Sequence, residues 1–74
     1  MGLQQQFNNE AISYLPKIKK IIKNADDHDS DNITFLVVHE INHSSTPIAQ
    51  MSKQELHLFQ ERTLSVLKFK GYLK

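Results

Sequence analysis

The tetrapeptide Ser52-Lys53-Gln54-Glu55 constrains this chain more than any other feature. It is a capping box. The Ser52 hydroxyl can accept from the Glu55 amide while the Glu55 carboxylate reaches back to the Ser52 amide, which satisfies two orphan donors of a helix start. The residues after it keep helical period. Leu56, Phe59, Thr63, Val66 and Leu67 fall on one stripe, with His57, Glu61 and Lys68 on the far side. Gly71 is placed to stop the helix. Leu58 and Phe69 fall outside the stripe, and together with Tyr72 they are the residues expected to meet a partner.

A chain of 74 residues is one small domain, expected over 1–74. A domain of this size buries only about 60% of the surface its unfolded chain exposes, so it gains much from oligomerising or docking. There is no cysteine, hence no disulfide staple. Nine basic against eight acidic residues give a net charge of +1, which argues against non-specific nucleic-acid binding by the whole surface. The start "MGLQQQF" has neither a basic region nor a long apolar run, so a cytoplasmic location is expected and no membrane association. The abundance of Asn, Ile, Lys and Gln points to an AT-rich bacterial or phage genome.

Upstream, Pro16 interrupts a helical pattern running from about Asn9 to Ala25. Proline removes a helical hydrogen bond and disfavours the helical region for Leu15, so the segment is one kinked helix or two short ones with Pro16 opening the second. Leu15, Ile18, Ile21 and Ile22 share a stripe, and Lys17, Lys19, Lys20 and Lys23 take the opposite arc. "DDHDSDN" (26–32) reads as a flexible polar connector, with Ser30 or Asp31 capping the next element. Its alternating carboxylates resemble the first half of an EF-hand loop, but the twelfth position is Val38 where a bidentate Glu is needed.

"ITFLVVHEI" (33–41) suits two structures. Five of nine residues are β-branched, as in a strand that points Ile33, Phe35, Val37, His39 and Ile41 one way. As a helix, Ile33, Val37, Val38 and Ile41 form an apolar arc and His39 and His43 sit on the polar side. The flanking cap and the polar, Pro-containing break after it favour the helix. The expected fold is mainly α: a kinked first helix, a short second helix and a long C-terminal one. The alternative is α+β, with 33–41 and 48–51 as a β-hairpin.

His39-Glu40-Ile41-Asn42-His43 spells His-Glu-x-x-His. On a helix both imidazoles face one way and can share a zinc while the glutamate serves a bound water as general base. On a strand they stand about 13 Å apart, at roughly 3.3 Å per residue, and no site exists. These five residues resemble the zincin metalloprotease family, which implies His39 and His43 as ligands. Positions 46 and 49, where the extended zincin pattern has Gly and a third His, carry Thr46 and Ala49. Glu61 is the candidate third ligand, with His57 one helical turn before it as the alternative.

"TLSVLKFKGYLK" (63–74) resembles the end of a winged-helix recognition helix, where a Gly-Tyr-Leu turns into the wing. That resemblance implies a preceding helix and short strand over 32–56, and DNA binding with Arg62, Lys68 and Lys70 on phosphates. The competing class is a non-catalytic interaction module. The expectation from sequence is therefore a small regulatory or adaptor protein, not an enzyme and with no cofactor, acting on an unidentified protein partner or as a homodimer. DNA binding is the alternative, and zinc-dependent hydrolysis by the pentad the third reading.

Overall fold

The computed structural model describes residues 10–73. Among the described residues, a helical segment at 10–12, three further α-helices and one short turn of 3-10 helix make a mainly α domain: α1 (Pro16–Asn24), α2 (Asp27–Asn42), the 3-10 turn (Ile48–Gln50) and α3 (Lys53–Phe69). Each pair among α1, α2 and α3 is in contact. The first few residues, expected to be flexible, lie outside the described residues.

Pro16 divides the first segment in two. Residues 10–12 are helical, and the chain then tightens into bonds three residues long, from the amides of Ser13, Tyr14 and Leu15 to the carbonyls of Glu10, Ala11 and Ile12. α1 opens with Pro16 at its first turn, where a missing N–H costs nothing. Its cap position is Leu15, which has no acceptor to offer. The acceptor comes from α3 instead: Gln60 Oε1 takes the Lys17 N–H at 3.0 Å. Leu15 itself is sealed in the core with Ile18, while all four lysines of α1 stay exposed.

α2 corrects two expectations. It is 16 residues long, so it is not a short helix, and it begins at Asp27. Residues 26–32 are thus not a flexible connector, and neither Ser30 nor Asp31 is the cap. Asp26 is: its Oδ1 accepts the Asp29 N–H at 2.8 Å. Asp27 and Asp29 sit in the first turn, where the helix dipole favours anions, which is why a run of poor helix formers is helical here. Helical winding also splays these carboxylates around the axis. Among the described residues no group of three or more acidic or histidine side chains is placed to hold a metal ion, and the EF-hand resemblance ends there.

The β-hairpin alternative fails for residues 33–41 and 48–51. The first are helical; the second are the 3-10 turn plus the extended Met51. Burial shows the reason. A strand would put Phe35 and Val37 on one face, yet Phe35 is 73% exposed and Val37 0%. Ile33 and Val37 are buried and Val38 and Ile41 pack on the core, which is the arc a 3.6-residue period selects.

α3 forms as its cap dictates. Glu55 N–H donates to Ser52 Oγ (3.2 Å) and Ser52 N–H to Glu55 Oε1 (3.3 Å). Phe59, Thr63 and Leu67 are buried, Leu56 and Val66 half-buried. The helix ends in a Schellman turn. The Tyr72 N–H reaches the Leu67 carbonyl and the Gly71 N–H that of Lys68, with Gly71 at φ +91°. The core joins Ile12, Leu15 and Ile18 to Ile33, Val37, Ile48, Phe59 and Leu67. Each fully buried side chain among them is worth about 1.5–3 kcal/mol over its exposed state.

Candidate functional site

The exposed apolar residues of α3 share a line. Leu58, Arg62, Ser65 and Phe69 follow at i, i+4, i+7 and i+11, a spacing that returns to one face of a helix. Leu58 is 61% exposed and Phe69 88%. The distance between them along the axis is roughly 16 Å at 1.5 Å per residue. The charged residues around it are Lys53 and Glu55 in the first turn, Glu61 and Arg62 at mid-helix, and Lys68 and Lys70 at the end, all exposed.

The N-terminal half of this face borders an open cleft of about 550 Å³. Its lining includes the apolar Met51, Leu58 and Phe59 and the polar His43, Glu55 and Arg62. The opposite wall is the loop after α2, which is tightly held. Ser44 Oγ shares its proton between the carbonyls of Ile41 (2.9 Å) and Thr46 (2.8 Å), and Ile48 is buried. The Gln50 and Met51 amides close the 3-10 turn onto Pro47 and Ile48. Glu55 is occupied by its capping role. Among the described residues no carboxylate lies within ion-pair distance of Arg62, so its charge is available to a ligand.

The expected site residues thus separate into groups. Leu58 and Arg62, assigned to different functions by sequence, meet at one cleft, and His43 joins them. Phe69, Lys68 and Lys70 lie further along α3. Tyr72 is half-buried: it comes after the Schellman glycine, packs on the core, and lines a hollow with Lys20, Ile21 and Ile33. His39 and His43 come together, with ring centroids 4.1 Å apart. Glu61 does not join them; its carboxylate faces Lys17 Nζ at 3.5 Å, in an exposed pair. Nor does His43 serve a serine: its Nδ1 is bonded to the His39 carbonyl at 2.8 Å, and Ser44 is bonded to carbonyls.

Phe35 is exposed because it stands opposite Ile33 and Val37 once 33–41 is helical, and the helical reading already contained that signal. Gln60 carries a role that no local pattern announced. Gln60 is buried on the core side of α3, and nothing in its immediate neighbours marks it. The helix that resembled a winged-helix element is continuous from Lys53 to Phe69, and the segment before it holds a 3-10 turn where the resemblance implied a strand. Among the described residues no helix is long and apolar enough to cross a membrane. No protein-family model matches the chain, and comparison with curated proteins and with solved structures finds no significant similarity.

Proposed function

We propose that this chain is a small non-catalytic regulator or adaptor that works by binding protein, a second copy of itself included, through the exposed face of α3 and the cleft beside it. The observation that carries the reading is the alignment of Leu58 and Phe69, both largely exposed, on one stripe of a capped helix. A domain this small gains from covering such groups, since each is worth more buried than wet. The spacing of the stripe suits an antiparallel copy. About a two-fold axis near Arg62 and Ser65, Leu58 of one chain meets Phe69 of the other.

Sedimentation equilibrium of the wild type against Leu58→Asp and Phe69→Asp tests this. The expected result is a concentration-dependent dimer that either aspartate abolishes, with helicity retained. A wild type that stays monomeric at sub-millimolar concentration, with α3 amides equally exchangeable at all concentrations, refutes the self-association.

Duplex-DNA binding is a second reading. It is favoured by the hollow shared by Lys20 and Tyr72, which sets one lysine of α1 beside the C-terminal turn that follows Lys68 and Lys70. Electrophoretic mobility shifts at two salt concentrations separate it from the first. Binding that weakens steeply with salt and falls with Lys68→Ala or Lys70→Ala supports it; binding absent at low salt removes it.

A further inference from the structure

We propose that His39 and His43 form an exposed two-point chelate for a divalent first-row transition ion, copper(II) above all, at the C-terminal end of α2. The proposal rests on other observations than the protein-binding reading, although His43 also borders that cleft, and it involves no catalysis. Four observations support it.

The rings lie one helical turn apart with centroids 4.1 Å from each other and planes inclined by 35°. A small rotation of exposed side chains brings two imidazole nitrogens to the distance at which each contacts a metal at about 2.0–2.1 Å. Second, the His43 tautomer is set by its partner. Its Nδ1 lies 2.8 Å from the His39 carbonyl oxygen, which can only accept, so Nδ1 carries a proton and, in the neutral ring, Nε2 is the nitrogen with the lone pair. A ring nitrogen oriented through a hydrogen bond from its other nitrogen is the usual arrangement of a metal-binding histidine. Third, the backbone beneath is fixed. The His43 N–H also bonds the His39 carbonyl, at 3.1 Å, and the Ser44 N–H bonds that of Ile41. Fourth, the site is at the negative end of the α2 dipole, which favours a cation.

Ligand chemistry then selects the ion. Among the described residues no third His, Asp or Glu joins the pair, so water completes the coordination. A closed structural zinc site needs four protein ligands and a catalytic one three. Two imidazoles with water oxygens make the tetragonal nitrogen and oxygen set that copper(II) prefers, and copper(II) also binds such donors most tightly in the divalent series.

The test titrates the untagged 74-residue chain with copper(II), nickel(II) and zinc(II) salts in a non-coordinating buffer. Calorimetry gives affinities and electron paramagnetic resonance reads the copper ligands. The expected result is one copper bound per chain, two imidazole nitrogens in the copper spectrum, and copper held more tightly than nickel or zinc. His39→Ala or His43→Ala lowers copper affinity by at least about tenfold, the loss of a second donor held close to the first. His28→Ala and His57→Ala leave it unchanged. Both ligands are exposed, so far-UV circular dichroism of the variants stays that of the wild type, and the wild-type copper spectrum is a test in itself. A double His39→Ala/His43→Ala variant that binds copper as well as the wild type, a spectrum with one nitrogen donor, or no measurable binding overturns the proposal.

Discussion

Replacing Gln60 with methionine tests how α1 is held. The swap keeps length and nearly keeps volume but removes the acceptor. In the native protein Gln60 is 7% exposed and accepts the Lys17 N–H at 3.0 Å, a bond between residues 43 positions apart. Lys17 is in the first turn of α1, where Pro16 has no N–H and Leu15 has no side-chain acceptor. Gln60 therefore acts as an N-cap supplied from another helix. Loss of a capping side chain costs about 0.5–2 kcal/mol, and a fully buried unpaired donor about 1–3 kcal/mol. The Lys17 amide is only part-buried, so water partly replaces the lost acceptor and the lower range applies, about 1 kcal/mol. For a domain of this size that lowers Tm by roughly 4–8 °C. Urea denaturation monitored by circular dichroism measures it, with amide exchange at Lys17 as the local readout. The neighbouring Lys17–Glu61 pair is the control. It is exposed on both sides, so Glu61→Gln changes stability by no more than about 0.5 kcal/mol. Gln60→Met with wild-type stability and undiminished protection at Lys17 refutes the capping role. Equal losses from Gln60→Met and Glu61→Gln show that the surface charge pair, not the buried amide, secures α1.

Other perturbations have equally definite outcomes. Asp26→Ala removes the acceptor for the Asp29 N–H and costs about 1 kcal/mol, and carbon chemical shifts in residues 27–32 move toward coil; unchanged shifts contradict the cap. Ser52→Ala removes the hydroxyl that accepts the Glu55 N–H, leaves the backbone arm from the Ser52 N–H to Glu55, and destabilises by about 0.5–2 kcal/mol in thermal melts. Gly71→Ala strains a residue at φ +91° whose added Cβ meets nothing within 4 Å, so the cost is conformational alone, about 1–2 kcal/mol, and Gly71→Asn recovers part of it.

α3 was legible because every determinant of it is local. The capping box, the apolar stripe and the terminal glycine all act within a few residues of the bonds they make. The break at Pro16 was legible for the same reason. α2 was half legible. Its β-branched run admitted strand and helix alike, and its acidic start imitated a loop because Asp, Ser and Asn are poor helix formers away from the first turn. Only packing decided the matter: Ile33 and Val37 reach the core together on a helix, and Phe35 then points to water.

The candidate site divides along the same line. The pairing of His39 with His43, and of Leu58 with Phe69, is helical arithmetic that the sequence alone determined once each helix was granted. That Leu58, Arg62 and His43 border one cleft, that Glu61 faces Lys17 and not the histidines, that Tyr72 is half-buried, and that Gln60 caps a helix 43 residues away were settled by tertiary structure. Caps and periodicity are properties of a short stretch of backbone. A buried amide or a shared cleft is a property of two stretches, and nothing in either one specifies the other until the core brings them together.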